Sequence, residues 1–299
     1  MTAAILSGFA DEAAPDLDGQ IAAITALGWQ HIDLRKIDHR LVHEHPPEVW
    51  PQWAERLAAA GLQVTSIGSG IANGQARLDD DPAKALAQAE RCVALAQVLN
   101  TRLIRIMSWP PQSDVERHLD RPDADHLIAR LRSVVEVLRA GGLEPLHENC
   151  HNWGGQSPRH SLRLIEEIPG LQLVFDTANP IGARDWSVVP PVAEIDIAAF
   201  YHALRDHIRH LHIKDRASIA DGTTQACLPG DGRGAVREIL ADWLGRGAPG
   251  PVSIEPHLGA GRLDPAAPDD DDARTAWNFH AAGQRVAALV RELGKPSND

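Results

Sequence analysis

The segment LEPLHENCHN at residues 143–152 shows the pattern on which the predicted fold depends. A short, mostly apolar run from Leu143 to His147 ends in a cluster of polar side chains, and a helical segment near Arg159 to Glu167 follows it. Short buried strands that alternate with helices are typical of parallel β/α units. This segment therefore predicts one strand–helix unit, and similar units recur along the rest of the chain.

Eight apolar runs are found, and each is followed by a stretch in which apolar residues have helical spacing. The runs are 5–9, 31–34, 62–67, 103–107, 143–147, 171–175, 208–213 and 252–254. Eight parallel strands with helical crossovers, in a chain of 299 residues, favour an α/β fold, the (β/α)8 TIM barrel. An open doubly wound sheet is the alternative. It would be favoured by a glycine-rich phosphate loop after the first strand, and GFADE at 8–12 is not such a loop.

No composition shift marks a domain boundary. We therefore predict a single domain over residues 1–294, with 295–299 as a flexible C-terminal tail. The run of four aspartates at 269–272 is interpreted as a solvated loop.

The overall charge and the cysteines narrow the functional classes. A formal net charge of −12 disfavours nucleic acid as a partner. Three cysteines without a spacing pattern, Cys92, Cys150 and Cys227, indicate a reducing compartment. The N-terminal segment lacks a basic region and reaches acidic residues by Asp11, so we expect no signal peptide. No apolar run approaches the ~20 residues of a membrane span. We expect a cytoplasmic protein without a membrane partner.

Polar side chains concentrate at the ends of the last four apolar runs. The segments are HENCHN at 147–152, DTAN at 176–179, HLHIKD at 210–215 and EPH at 255–257. Barrel enzymes place their catalytic groups at these strand ends, so three carboxylates and an imidazole should converge. We see too few nearby lysines or arginines to neutralise them, and such a cluster is costly unless a cation is present. Oxygen-rich ligands with one histidine suit Mn²⁺, Mg²⁺, Co²⁺ or Zn²⁺.

Each candidate ligand also has a structural explanation. Asp176 can cap the following helix, and His212 can be a core histidine. Glu144 competes with Glu148, although it lies at the start of its strand. His210 competes with His212, since both point to the same side of the strand, but His212 is nearer the C-terminal end.

Over nearly its whole length the chain resembles the xylose isomerase-like TIM-barrel superfamily, in the group of sugar phosphate isomerases and epimerases. The motifs that carry this resemblance are SGFADEAAPDLDGQI (7–21), IDLR (32–35), VTSIGS (64–69), HENCHN (147–152), VFDTANP (174–180), HLHIKD (210–215), PGDGRG (229–234) and SIEPHL (253–258). Each motif alone is weak, whereas eight in order give a strong indication of the fold.

The resemblance implies one divalent ion, with Mn²⁺ placed ahead of Mg²⁺, Co²⁺ and Zn²⁺. Its ligands would be Glu148, Asp176, His212 and Glu255. It also implies that Glu148 and Glu255 are the catalytic acid/base pair of an isomerase or epimerase. Such an enzyme removes a proton next to the carbonyl of a sugar or sugar derivative.

The substrate contacts are less well specified. Similar ketose 3-epimerases often carry a histidine three residues after the strand-six aspartate, where this chain has Asn179. His151 or His257 can replace that histidine as a substrate contact. Lys214 and Arg216 can bind a phosphate or an acidic sugar, although Lys214 can equally pair with the neighbouring aspartate.

Two other features suit a sugar site. Trp109 and Trp153 follow strands four and five, where an aromatic ring can stack on a sugar or simply cover the core. The segment at 229–234 looks like a loop over the site. We interpret it as a turn before a helix and not as a phosphate cradle, because the order of elements is wrong for a P-loop.

Three other functions remain as alternatives. The same barrel supports lyases that dehydrate inosose or cleave oxidised 3-keto glycosides, including C-glycosides, and these also begin with proton abstraction beside a carbonyl. An apurinic endonuclease would need a multi-metal histidine cluster and a basic surface. A non-catalytic subunit would need a broken metal site. We expect a carbohydrate substrate and, from the resemblance, a homodimer or homotetramer.

Overall fold

The computed structural model describes residues 4–188, 190, 193–220, 222–261 and 263–294. Its centre is a barrel of eight parallel strands, one for each predicted apolar run. The strands are β1 (Leu6–Gly8), β2 (His31–Leu34), β3 (Gln63–Gly68), β4 (Leu103–Ile106), β5 (Glu144–Glu148), β6 (Gln172–Asp176), β7 (Ile208–Ile213) and β8 (Val252–Ile254). The predicted tail at 295–299 lies outside the described residues.

The strands follow chain order around the barrel. The hydrogen-bonded order is β1-β8-β7-β6-β5-β4-β3-β2, and all of these pairs are parallel. A parallel bridge between Phe9, just after β1, and Asp33 in β2 joins the two ends of the sheet. This topology confirms the single-domain (β/α)8 TIM barrel, whose carboxyl strand ends all lie at one rim.

Helices cover the outside of the barrel and follow its strands. They are α1 (Leu17–Ala26), α2 (Trp50–Ala59), α3 (Pro82–Leu99), α4 (Ala124–Ala140), α5 (Pro158–Glu167), α6 (Ile197–Leu204), α7 (Val236–Gly245) and α8 (Asp271–Leu293). Helix α3 begins with residues that favour a helix start. Asp81 accepts a hydrogen bond from Ala83 N at 3.0 Å, and Pro82 occupies the first turn.

The aspartate run at 269–272 is not simply a solvated loop, because it contains the cap and the first residues of α8, so that interpretation was wrong. The carboxylate of Asp270 accepts a hydrogen bond from Ala273 N at 2.9 Å and caps the helix, and Asp271 and Asp272 form its first turn. Negative charge is stabilising there because the amino end of a helix carries a partial positive charge.

Two short antiparallel hairpins were not predicted. One pairs Lys36–Ile37 with Arg40–Leu41 after β2, and the other pairs Asp215–Ser218 with Thr224–Cys227 after β7. Strands of two to four residues are too short to show a clear alternation of apolar and polar side chains. Within the described ranges, we find no helix that combines the length and apolar character of a membrane span.

Candidate metal centre

Four buried side chains meet at the rim of the barrel. Glu148 and Asp176 are the last residues of β5 and β6, His212 is next to last in β7, and Glu255 follows β8. One potential ligand atom from each residue lies within 4.8 Å of those from the other three. All four residues are at most 3% exposed. Four chain segments that are distant in sequence therefore provide a compact set of ligands.

The two competing residues lie elsewhere. Glu144 is at the opposite end of β5, where its carboxylate lies 3.3 Å from Arg102. His210 lies one layer below the cluster, and its Nε2 is 2.6 Å from Ser253 Oγ. The structure thus brings His212 and Glu148, and not their competitors, into the cluster.

Asp176 stabilises the turn after β6 with one carboxylate oxygen and faces the cluster with the other. Its Oδ1 accepts hydrogen bonds from Ala178 N at 2.8 Å and Asn179 N at 2.7 Å. These bonds leave Oδ2 directed at the other candidate ligands. Asn149 holds the Asp176 backbone, because its side chain accepts from Asp176 N at 2.6 Å and donates to Asp176 O at 3.0 Å. Asp176 therefore does not cap the following helix, whose N-cap is Asp196, and its bonds to the turn are compatible with a place in the cluster.

Three cations surround the carboxylates, so the sequence argument that too few were nearby was wrong. Arg105 Nη1 lies 3.0 Å from Glu148 Oε2, and Arg35 Nη1 lies 2.5 Å from Glu255 Oε1. Lys214 Nζ lies 3.1 Å from Asp176 Oδ2 and 3.7 Å from Glu255 Oε2. Repulsion between carboxylates is thus offset within the protein and cannot by itself indicate a metal.

These contacts shift the protonation equilibria of the cluster. Burial opposes ionisation of Glu148, but the Arg105 guanidinium prevails and lowers the carboxyl pKa to about 2. Burial raises the pKa of Asp176 to about 6, although Lys214 opposes it. Burial also disfavours charged His212, but its contacts with Glu148 and Glu255 prevail and raise its pKa to about 9.

Unpaired ligand atoms provide a better test of whether a cation fits. Among the described residues, neither ring nitrogen of His212 nor Oε2 of Glu255 has a hydrogen-bond partner, although all three atoms are buried. His212 Nδ1 lies 3.4 Å from Glu255 Oε2 and 3.7 Å from Glu148 Oε1. Buried polar atoms normally have partners. Three carboxylates and one imidazole are also the ligands that Mn²⁺ and similar ions accept, so the residues fit a divalent ion.

A cavity of about 1050 Å³ opens above this cluster. Glu148 and Glu255 contribute to its lining, whereas Asp176 and His212 do not. All six predicted substrate contacts also line it, namely Trp109, His151, Asn179, Lys214, Arg216 and His257. The structure therefore brings the two glutamates and the predicted substrate contacts to one cavity.

Several of these side chains are already engaged. Asn179 Nδ2 donates to Glu148 Oε1 at 2.9 Å. Arg216 donates to the side chain and backbone of Thr224 at 2.9 and 2.7 Å, within the hairpin after β7. His257 Nε2 lies 3.1 Å from Glu12 Oε1 and 3.3 Å from a Glu255 oxygen. Burial opposes its protonation, but hydrogen bonds to these glutamates raise its pKa to about 9.

The two tryptophans have different places. Trp109 lines the cavity, and the guanidinium of Arg130 lies 5.1 Å from its ring centroid. Trp153 is fully buried in the core, and its Nε1 donates to His118 O at 3.1 Å. Trp153 does not line the cavity. Of the two, only Trp109 is positioned to touch a substrate there.

The glycine-rich segment 229–234 is a structural loop, as its order in the chain predicted. Its amide groups at Gly230, Gly232 and Gly234 donate to the carboxylate of Asp215 at 2.9, 3.0 and 2.8 Å. A carboxylate from the protein therefore occupies the position where a phosphate cradle would hold its ligand. Asp215 is thus engaged by this loop, and Lys214 pairs with Asp176 instead.

Sequence reasoning missed Arg35, Arg105 and Glu12. Arg35 directly follows β2 within the IDLR motif, and Arg105 lies between two isoleucines in β4. A charged residue inside an apolar strand is a usable signal, since buried arginines are nearly always paired. Arg35 also contacts Asp11 at 2.8 Å and Glu12 at 3.1 Å, so it joins the first loop to the cluster.

The fold has many solved relatives. A probable 3-DHS dehydratase of petrobactin synthesis from Bacillus anthracis is 17% identical, with a TM-score of 0.69 over 96% of this chain and 99% of that one. D-psicose 3-epimerase from Clostridium cellulolyticum H10, solved with D-tagatose, is 14% identical, with a TM-score of 0.67 over 97% and 99%. A xylose isomerase-like TIM barrel protein from Mycobacterium smegmatis, in complex with magnesium, is 18% identical, with a TM-score of 0.68 over 97% and 98%.

At these identities the likeness establishes the fold alone. The sequence has no match among the curated proteins. A family model described as the xylose isomerase-like TIM barrel, however, matches residues 21–279. This match covers most of the chain, and the barrel topology agrees with it. The protein belongs to the xylose isomerase-like TIM barrel family.

Proposed function

We propose that this protein is a divalent-metal-dependent isomerase or epimerase that acts on a sugar or sugar derivative. The observation that carries the proposal is the convergence of four side chains, Glu148, Asp176, His212 and Glu255, beside a cavity. Of these four, only the two glutamates line the cavity. Two carboxylates exposed to one cavity suit proton removal from a substrate and its return.

In this proposal the four cluster residues hold the ion, with Mn²⁺ as the first candidate. Bound there, the ion would polarise a carbonyl and the hydroxyl on the neighbouring carbon. This polarisation would acidify the C–H bond of the carbon that bears the hydroxyl. Glu148 and Glu255 remove the proton from that carbon and return a proton to the substrate. Asn179 orients Glu148 through its 2.9 Å hydrogen bond, and Arg35 orients Glu255 through a 2.5 Å contact.

The remaining side chains bind the substrate. His151 and Lys214 line the cavity close to the cluster and can donate to sugar hydroxyls. Trp109 offers an apolar wall, and Arg216 and His257 lie on the hairpin and on the loop after β8. We retain the predictions of a cytoplasmic location, a carbohydrate substrate, a dimer or tetramer, and no nucleic-acid or membrane partner.

A lyase acting on an oxidised sugar is the second candidate. Two observations favour it. Asn179 stands where similar ketose 3-epimerases often carry a histidine, and Lys214 lies between Asp176 and Glu255. An elimination needs a proton donor for the departing oxygen, and an ammonium group can serve as that donor. The endonuclease and non-catalytic alternatives lack a comparable observation.

Proton exchange tests the proposal directly. The purified, Mn²⁺-loaded chain is incubated in D₂O with D-fructose, D-psicose, D-tagatose, scyllo-inosose and 3-keto-glucosides, and deuterium next to the carbonyl is followed by NMR. We expect exchange with at least one sugar, and a loss on the order of 10²–10⁴-fold in Glu148→Gln and Glu255→Gln. Glu144→Gln on the same strand is the matched control and should retain the wild-type rate.

The products then separate the two candidates. An inverted carbon or a moved carbonyl supports the isomerase or epimerase, whereas loss of water or of an aglycone supports the lyase. Exchange that persists unchanged in both glutamine variants, or its absence with every sugar, would overturn the proposal.

A further inference from the structure

The cavity is larger than one sugar ring requires. Pockets of roughly 300–1,000 Å³ hold drug-sized ligands, and this one measures about 1050 Å³. It continues away from Glu148 and Glu255 to the loop between β3 and α3 and to the first turns of α3. We call this outer part the outer chamber. It is defined by Leu41, Asn73, Gln75, Ala76, Lys84 and Gln88.

The loop that forms the wall of the outer chamber is held in a fixed conformation. Trp109 N donates to Ala72 O at 2.8 Å, and Met107 N donates to Ile71 O at 3.1 Å. Ala72 and Trp109 both have left-handed backbones, with φ of 55° and 53°. Non-glycine residues persist in that region only when their surroundings hold them there, and such residues cluster at functional sites.

Arg130 fastens the same loop from the other side. Its guanidinium lies 5.1 Å from the centroid of the Trp109 ring. Its Nη1 donates to the backbone oxygen of Leu78 and, at 2.9 Å, to that of Asp80. One side chain of α4 thus ties the loop to the tryptophan. The outer chamber is therefore built into the folded protein and need not form on binding.

The charges of the outer chamber and its rim are balanced. Three cations, Lys36, Lys84 and Arg130, accompany three carboxylates, Glu44, Asp80 and Asp81. Lys84 Nζ already lies 3.1 Å from Asp80. Arg130 is occupied by backbone oxygens. Lys84 and Arg130 are thus already engaged, and the carboxylates offset the positive charge that a phosphate would need.

The other side chains of the outer chamber are uncharged. Asn73, Gln75 and Gln88 offer amide donors and acceptors, and Leu41 and Ala76 offer apolar surface. This mixture suits a group with hydroxyls on a hydrocarbon ring. It suits neither a phosphate nor a fully apolar chain.

We propose that the outer chamber is a second binding subsite, and that the substrate is a glycoside with an uncharged substituent. The reacting sugar would lie at Glu148 and Glu255, and the substituent would lie along the loop and α3. This inference rests on the proposed function. It goes further by excluding both a free monosaccharide and a sugar phosphate as the preferred substrate.

Matched substrate pairs provide the first test. The pairs are D-fructose with 6-O-glucosyl-fructose, and 3-keto-glucose with phenyl 3-keto-β-D-glucoside, and D-fructose 6-phosphate is added as the charged comparison. With the Mn²⁺-loaded wild type, we expect kcat/KM for proton exchange to be at least about tenfold higher for one glycoside than for its parent sugar. A preference for the parent sugar or for the phosphate would overturn the inference.

Variants of α3 locate the subsite. Gln88→Trp narrows the outer chamber and should raise KM for the glycoside about tenfold more than KM for the parent sugar. Ala87→Trp adds the same ring at the neighbouring, exposed position and should change neither. If the two variants behave alike, the subsite does not lie in the outer chamber.

Binding of a non-reacting ligand separates the two proposals. Calorimetric titration with phenyl β-D-glucoside and with 1,5-anhydro-D-glucitol, neither of which can open to a carbonyl form, should give tighter binding of the glycoside by the wild type. This difference should disappear in Gln88→Trp. Exchange that is active yet equal within each pair refutes only the second subsite. Selective glycoside binding without exchange on any sugar refutes only the proposed chemistry.

Discussion

Arg105 and Glu148 form an ion pair inside the barrel, with Nη1 3.0 Å from Oε2 and both side chains at most 5% exposed. The pair joins neighbouring strands β4 and β5 at the rim. A second arginine–glutamate pair lies at the opposite ends of these strands. Arg102, which directly precedes β4, lies 3.3 Å from Glu144 in β5, and the two side chains are 74% and 37% exposed. The barrel thus contains a buried pair and an exposed pair of the same chemistry.

Because one pair is buried and the other exposed, replacing the two arginines should lower the free energy of unfolding by different amounts. In metal-free protein, Arg105→Leu should lower the free energy of unfolding by about 3–5 kcal/mol, because it leaves Glu148 charged and buried without its partner. Arg102→Leu should cost no more than about 1 kcal/mol, since solvent screens that pair. Urea denaturation measures both. Equal costs would contradict the assignment of Arg105 as the neutralising partner.

Divalent ions should stabilise the protein through the cluster. At a Mn²⁺ concentration about 100-fold above Kd, the free energy of unfolding of chelator-treated protein should rise by about 2.7 kcal/mol. Asp176→Asn should abolish the rise, whereas Glu144→Gln should retain it. Thermal unfolding with and without Mn²⁺, Mg²⁺, Co²⁺ or Zn²⁺ provides the measurement. If no ion shifts the wild-type midpoint, the cluster does not bind a metal.

Asp215 should stabilise the folded protein by holding the glycine-rich loop at 229–234. Its carboxylate accepts hydrogen bonds from three glycine amides. Asp215→Ala leaves those donors without their acceptor, and should cost about 3 kcal/mol in urea denaturation. Asp231→Ala in the same loop removes only an exposed pair with Arg285 and should cost under about 1 kcal/mol. A similar loss in both variants would refute this role.

The buried His43 should make the free energy of unfolding decrease in acid. Burial, with a smaller contribution from Arg91, lowers its pKa from 6.5 to about 4. The unfolded chain therefore binds a proton that the folded protein excludes. His43 has its full stabilising effect above pH 6.5, and that effect falls as pH decreases, levelling off below about 4.

The magnitude can be measured by difference. Between pH 7 and pH 5 this histidine should account for about 2 kcal/mol of the decrease in unfolding free energy. His43→Leu should show a decrease smaller by that amount, because the other buried histidines contribute equally to both proteins. The His202→Leu variant is the control for replacing a histidine by leucine at an exposed position. Parallel pH curves for His43→Leu and wild type would contradict the prediction.

The fold was predictable from the sequence because its signals are local. Each strand is a short apolar run, and caps such as Asp81 lie within a few residues of the helices that they begin. The aspartates at 270–272 show the limit of this reasoning, since the same residues suit a solvated loop and the first turn of a helix. Composition alone does not separate these two states, because what differs is the backbone that the carboxylates meet.

The cluster residues were also predictable from the sequence, because each lies at or near the end of an apolar run that marks a strand. The choice between His210 and His212 was harder, since alternate residues of a strand face the same side. The position of each histidine along the barrel axis decides which of the two joins the cluster. His210 meets Ser253 one layer down, and His212 meets Glu255 at the rim.

The sequence by itself thus determined the barrel, the family resemblance and the set of acidic and histidine side chains at four strand ends. Only the tertiary structure decided how their charge is balanced. Arg35 and Glu255 are 220 residues apart and meet because the barrel closes β1 onto β2 and β8. Local periodicity carries no information about such a distance in the chain. The pairing of Arg35 with Glu255 therefore depends on barrel closure, which places distant segments at one rim.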